Sequence, residues 1–460
     1  VKNLSFLLLG FLILVFSYCG EKSKSSISVD FTELSTDLIP IDQIQLGITD
    51  SLRRSVGEVI ELDLSSPSII SIGNKNKVYV YVKAGEAIRL TNASKDSFTL
   101  DFAGELSPEN RYLQKYTELN RKADSDFDIF PLSKYEPALF LDSLTIKYAG
   151  LTSLVDEIQK DNTVDPRFVS VIKERLSAKK AADLIFYPDY YKYQNENDPE
   201  LLEGYYDFVE GIDLNSESLL CFSEGRRIGD QIIGRDINYE EFESTTDYFN
   251  AKLDKVASVF TNKTNRDYFT FLQMESLIDF GGGIDGLDDK IASFRKATKN
   301  KYLLGQMKAV VDPWIDLKSG KTAPDFAGYT RDGEKIDISS LRGKNVYVDV
   351  WATWCGPCIR EIPALKEVEK SHHDDNIAFV SISIDEQKDA DKWKKFVEDK
   401  SLSGTQIMAD KDWSSDVVKE YNIKGIPRFI LIDDKGNIVK ADAPRPSDPK
   451  LLDLFKQLDI

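Results

Sequence analysis

The sequence predicts a multidomain chain: a small N-terminal antiparallel β-sandwich, a helical middle region and a C-terminal α/β domain. Three observations predict it. The chain has 460 residues, more than one ordinary domain holds and enough for two or three. Short alternating apolar runs fill residues 27–107, and helical patterning follows over 108–313. From 318 to 460 strands and helices alternate, the order of a sheet covered by helices.

Residues 1–19 read as a targeting segment. Lys2 gives a short positive start, Leu4 to Phe16 is apolar except for Ser5 and Gly10, and a polar stretch follows Cys19-Gly20. The run is shorter than a comfortable membrane span and has the layout of a secretory signal. Cys19 stands where a bacterial lipoprotein is acylated, although Tyr18 and Phe16 replace the small residue and the leucine expected before it. Ordinary cleavage after Cys19 and an uncleaved anchor are the alternatives. All three place the mature chain outside the cytoplasm. No other segment reads as apolar enough to span a bilayer.

Val59 to Leu64, Val78 to Val82, Ile88 to Thr91 and Phe98 to Phe102 read as the strands of the sandwich. The pattern changes at Ser107-Pro108. In the middle region Asp165 suits a cap, Pro166 a first turn, and Phe168, Val171, Ile172 and Leu176 share one helix face. Asp312-Pro313-Trp314 is expected to end the last helix of that region. In the C-terminal part Val346 to Trp351 and Ile377 to Ile384 read as strands. Cys358 to Lys370, Lys388 to Lys400 and Ser414 to Tyr421 read as helices. Arg428 to Ile432 and Ile438 to Lys440 form a hairpin, and a last helix starts at Asp448-Pro449.

Composition narrows the chemistry. The net charge of −18 repels phosphate backbones and argues against nucleic acid. The two histidines, His372 and His373, are adjacent, which argues against a histidine-rich metal site or a histidine triad. Four cysteines are too few for a disulfide scaffold. Gly281 to Gly286 lacks the lysine of a phosphate loop and reads as a helix-ending turn. Asp124 to Asp128 lacks the glycine and distal glutamate of a calcium loop. Cys221 is expected to be a buried core residue.

Cys355-Gly356-Pro357-Cys358 follows a strand and opens a helix. The first sulfur of such a pair sits where free N–H groups and the helix dipole favour a thiolate, which attacks disulfides. The second, one turn on, attacks the mixed disulfide and releases the product. Cys355 is therefore assigned as nucleophile and Cys358 as resolving thiol. Zinc would need further ligands at suitable spacing, and an inert bridge has no need of Gly-Pro at a helix start.

Trp354-Cys355-Gly356-Pro357-Cys358 resembles thioredoxin, and residues 318–460 resemble its extracytoplasmic TlpA/ResA branch. Ala323-Pro324-Asp325-Phe326, Gly333, Leu341-Arg342-Gly343-Lys344 and Gly425-Ile426-Pro427 carry the likeness. The resemblance implies a thioredoxin fold and thiol–disulfide exchange, with no cofactor beyond the redox-active Cys355–Cys358 pair and no metal. Pro427 matches the cis-proline loop facing the cysteines, which implies that Ile426 pairs with an extended substrate. Arg428 replaces the threonine common there. Trp354 packs beside the motif. Asp349, six residues before Cys355, matches the buried aspartate of thioredoxin; Glu361 matches the glutamate of the ResA branch. Both are candidates for proton handling, with an outward strand position and a solvated helix position as the alternatives. Ser381 stands where thioredoxin has the lysine partner of its aspartate.

The resemblance further implies a reductase in the cell envelope, facing the periplasm; the reading of residues 1–19 adds a lipid anchor as its only hold on the membrane. Its clients are disulfide-bearing proteins, apocytochrome c being one conceivable example, and its electrons come from a DsbD/CcdA-like membrane protein. The residues before 318 resemble, more loosely, accessory regions of Bacteroidetes-type proteins. A disulfide-forming oxidase and an envelope lipoprotein binding module with a secondary redox domain are the competing readings.

Overall fold

The structure is a computed structural model. It describes residues 107–460 apart from 217 and the side chain of 240, and eight strands between 23 and 102 with side chains at 68–71 and 79–83 only. Cys19 and the segment 1–19 lie outside the described residues. The chain parts into two compact units. The first is 1–176 without 44–47; the second is 177–460 with those four residues.

In the first unit the strands are β1 (Ser23–Asp30), β2 (Leu38–Gln43), β3 (Ile48–Arg53), β4 (Glu58–Leu64), β5 (Ser68–Ile72), β6 (Val78–Val82), β7 (Ala87–Asn92) and β8 (Leu100–Phe102). They form two four-stranded sheets, ordered β4-β1-β7-β8 and β3-β2-β5-β6. The expected antiparallel arrangement needs one correction, because β1 and β7 pair in parallel from Ser26↔Ala87 to Asp30↔Thr91. Their connection is long, and only a long connection permits a parallel return. Face-to-face packing of the two sheets, and with it the sandwich, lies outside the described residues.

Helices α1 (Pro108–Asp126), α2 (Ile129–Leu132), α3 (Pro137–Lys160) and α4 (Pro166–Asn195) follow. Ser107 caps α1, its hydroxyl accepting the Asn110 N–H at 3.3 Å. The Asn110 side chain then bonds both backbone groups of Tyr81 in β6, at 2.8 and 2.9 Å. An 18-residue window of the 24-residue α3 has a mean hydropathy of 1.2, so by length and composition alone α3 could cross a membrane, which the sequence reading did not expect of any segment after residue 19. It buries Phe140, Leu144, Tyr148, Leu151 and Ile158 at helical spacing. Asp165 opens α4 by accepting the Arg167 N–H at 2.8 Å.

The second unit continues with α5 (Ser223–Gly234), α6 (Thr245–Val259), α7 (Lys263–Phe280), α8 (Asp288–Ala297) and α9 (Lys301–Val311). Cys221 is half-buried rather than core. Asn262 caps α7 by accepting two amides, at 2.9 and 3.2 Å. After α7, Gly283 takes φ +82°, and a Cβ there would stand 2.5 Å from the Trp314 ring, so only glycine lets the turn close on that indole. As expected, α9 ends at Asp312-Pro313, with Asp312 as its C-cap. Residues Asp312–Leu317 tighten into a 3-10 segment, whose first turn suits a proline.

The remaining elements are β9 (Ala327–Tyr329), β10 (Lys335–Asp337), β11 (Asn345–Trp351), α10 (Gly356–Ser371), β12 (Ile377–Ser383), α11 (Ala390–Asp399), β13 (Thr405–Met408), α12 (Asp416–Glu420), β14 (Arg428–Ile432), β15 (Ile438–Lys440) and α13 (Lys450–Lys456). They form a seven-stranded sheet in the order β10-β9-β13-β12-β11-β14-β15. β11 is parallel to β12 and antiparallel to β14, and every residue of it is buried. This explains its nearly continuous apolar run. The short β9, β10 and β13, of three or four residues, fall outside the sequence expectation because such runs show no period. One apolar core holds Leu277, Met307 and Trp314 from the helices together with Val348, Ile382 and Ile430 from the sheet.

Candidate active site

β11 ends at Trp351, and a short turn delivers Cys355 to the head of α10. Cys355 is the cap itself: its Sγ accepts the Cys358 N–H at 3.1 Å. Pro357 occupies the first turn, where no amide hydrogen is required. The two cysteines form a disulfide with Cα atoms 5.3 Å apart, and they are 5% and 4% exposed. On reduction, a thiolate at Cys355 keeps the amide donor and gains the positive end of the helix.

The Ile426–Pro427 peptide is cis, and the Ile426 carbonyl oxygen lies 3.7 Å from Cys355 Sγ. The Ile426 N–H has no hydrogen-bond partner among the described residues. Trp354 is half exposed and its ring lies 6.5 Å from that of Trp413. Trp351 is instead buried, tilted on Phe396.

Asp349 is buried under α10. Cys358, Ile362, Leu365 and Glu369 recur at helical spacing on one face. Three of them, Ile362, Leu365 and Glu369, line a small void with Asp349 and Ser381. At about 10 Å³ the void is the size of one water. Burial pushes the Asp349 carboxyl up to about 8; the charges of Glu369 and Glu361 push the same way, and the Ser381 hydroxyl opposes them. Burial likewise raises the Glu369 carboxyl.

Glu361 is also buried, but its two oxygens are held by Ser447. One accepts the Ser447 N–H at 3.1 Å and the other the Ser447 hydroxyl at 2.9 Å, with Arg445 4.0 Å away. It faces away from Asp349's void, into a cleft beside Ile426.

Two residues to which the sequence reading gave no positioning role hold this arrangement. Asp385, fully buried, accepts the Thr353 N–H at 2.9 Å, the Thr353 hydroxyl at 2.8 Å and the Ser383 hydroxyl at 2.6 Å. It pins the turn that presents Cys355. The available signal was a carboxylate closing the apolar run Ile377 to Ile384. Asp385→Ala leaves three buried donors unpaired, so stability in urea should fall by about 3 kcal/mol; a fall below about 1 kcal/mol would contradict this role. The second is Arg428, directly after the cis-proline and 3% exposed. It donates to the Asp279 carbonyl at the end of α7 at 3.1 Å, pairs with Asp442 at 3.5 Å and lies over Trp314 at 5.4 Å. A cation at a helix C-terminus is favoured by the dipole. Among the described residues no three His, Cys, Asp or Glu side chains are grouped to hold a metal ion.

Known proteins are similar to the C-terminal part of this chain. The family model described as Redoxin matches residues 318–456. The thioredoxin-like protein YneN of Bacillus subtilis is 31% identical over 124 residues, 27% of this chain and 71% of that protein. The thiol-disulfide oxidoreductase ResA of Bacillus thuringiensis is 27% identical over 142 residues, 31% of this chain and 79% of that one. Among solved structures, the thioredoxin domain of a thiol-disulfide oxidoreductase from Bacteroides vulgatus is 29% identical, covering 31% of this chain and 98% of its own at a TM-score of 0.28. A thiol-disulfide oxidoreductase from Bacteroides fragilis is 29% identical, covering 29% and 99% at a TM-score of 0.27. With its cysteine pair bonded at the head of α10 and a family match over residues 318–456, the chain belongs to the thioredoxin-like thiol–disulfide oxidoreductases.

Proposed function

We propose that the chain reduces disulfides of client proteins outside the cytoplasm, with 318–460 as the redox domain. The observation that carries this is Cys355, capping α10 with its sulfur beside the cis-Ile426–Pro427 loop. The Cys355 thiolate attacks one sulfur of the client disulfide, and the client's other sulfur leaves as a thiolate. Cys358 then attacks Cys355 Sγ, the pair closes, and the second client thiolate departs. The client gains two electrons and two protons, and the pair loses them.

Asp349 takes the proton of Cys358. A carboxyl near 8 is well matched to a thiol at about 8.5, the condition for efficient transfer. In the oxidised protein at neutral pH it is mostly protonated, ready to return that proton when Cys358 leaves as a thiolate. Glu361 is not assigned the transfer, because it lines the cleft beside Ile426 rather than the void beneath α10 that Asp349 lines. Trp354, Ile426 and Pro427 form the client contact, with the client strand lying along Ile426.

The reducing direction rests on Gly356-Pro357 between the cysteines and requires a membrane dithiol donor of the DsbD/CcdA type. An envelope position, periplasm-facing and anchored through an acylated Cys19, follows from the reading of residues 1–19. The residues before 318 select the client or position the redox domain away from the membrane. The reduction potential of the Cys355–Cys358 pair tests the direction. Thioredoxin lies at about −270 mV and the oxidase DsbA at about −120 mV. A value near the first is expected; a value near the second would reverse the direction.

A further inference from the structure

Beside the cis-proline loop lies an open cleft of about 940 Å³. One wall is the redox domain, with Glu361, Ile426 and Arg445. The other comes from the turn before α6, the start of α6 and the end of α7. Phe280, the last residue of α7, is half exposed, and a Cβ on Gly425 would stand 3.9 Å from its ring. It therefore sits directly against the loop that carries Ile426. Phe249 stacks behind it with centroids 6.4 Å apart, and Tyr248 meets Phe249 edge-on at 5.2 Å. Tyr239 adds a second half-exposed ring to this wall.

The rim is acidic. Seven carboxylates and four cations line the cleft. Every one of the cations has a carboxylate close by: Arg428 with Asp442, Lys440 with Asp285, Arg445 with Glu361, and Lys450 with Asp247 and Glu243, at 3.5 to 4.0 Å. The surplus is negative, and Glu243 projects furthest, its side chain 87% exposed.

The cleft is continuous with the edge of Ile426, where the client's cysteine must reach Cys355. The residues flanking that cysteine have to run along it. We propose that the cleft receives an extended, cysteine-bearing client segment, that the Phe249–Phe280 wall takes an apolar side chain of it, and that the acidic rim selects a basic residue near the cysteine. This rests on the exchange proposed above and makes the helical region the specificity-determining half of the site. An extended strand would also satisfy the unpartnered Ile426 N–H.

The test uses the full chain and fluorogenic peptide disulfides identical except for lysine or glutamate beside the cysteine. Hydroxyethyl disulfide, too small to fill the cleft, reports the chemistry alone. The lysine peptide should give the higher kcat/KM by about tenfold at low salt, and the ratio should shrink as salt is raised. Glu243→Lys should cut that ratio by about threefold or more, and Phe280→Ala should raise KM for both peptides. Equal rates for the two peptides, with hydroxyethyl disulfide turned over normally, would overturn the cleft and leave the exchange standing. Failure to turn over hydroxyethyl disulfide would overturn both.

Discussion

Cys358→Ser should stop turnover of a protein disulfide and leave the client covalently held on Cys355. Cys355→Ser should stop turnover as well, with nothing held. Both losses should reach about 10⁴-fold or more, the scale of removing a nucleophile that works as part of a unit. The difference between them follows from geometry. Cys355 is the sulfur at the cis-proline loop and keeps its amide donor from Cys358, whose backbone N–H the serine retains. Cys358, 4% exposed, sits in the first turn of α10, where its sulfur is bonded to Cys355. Adducts are read by mass on non-reducing gels, and the double variant controls for Cys221. Equal trapping by both single variants would refute the assignment of roles.

Asp349→Asn should change both rate and stability, with opposite benefit. Removing the acceptor of the Cys358 proton should slow the resolving step by about 10²-fold at pH 7, the usual scale of a positioned base. The wild-type rate should rise with pH and level off near pH 8, where the carboxyl is ionised, whereas the variant's rate should go on climbing as Cys358 ionises unaided. The stability effect has a definite sign. Asp349 is raised in the folded protein to about 8 from an unfolded value of 3.8, so between those values the folded state binds the extra proton. Its contribution is present below about pH 4 and is lost as pH climbs to about 8, for a total of about 6 kcal/mol. Denaturant midpoints should therefore favour the variant little at pH 4 and most at pH 9. Parallel curves for the two proteins would contradict the burial that sets this carboxyl.

What was legible in the sequence was local. Cys355 through Cys358 lie within one helical turn, and their chemistry follows from a strand ending and a helix beginning. Gly425-Ile426-Pro427 was legible through its own proline. The rest depended on chain segments that meet from far apart. Arg428 finds the Asp279 carbonyl across 149 residues, and nothing in either segment announces the other. Asp385 reaches Thr353 across 32 residues, and the intervening helix hides the relation. Asp349 and Glu361 looked alike as candidates, and nothing in the sequence announces that Glu361 bonds Ser447, 86 residues away. The parallel pairing of β1 with β7 was unreadable for the same reason, since alternation reports a strand's faces but not its neighbour.

The core shared by Leu277, Met307 and Trp314 with the β11 side of the sheet has a consequence for inheritance. The family likeness begins at residue 318, yet the apolar interior does not stop there. A fragment cut at that point keeps every cysteine of the site and bares the surface that α7 and α9 cover. It also strips Arg428 of its carbonyl partner. Recombination at the edge of the likeness would thus exchange the chemistry and lose the fit. A change of volume at Leu277, Met307 or Trp314 is therefore felt in the sheet that carries the cysteine pair.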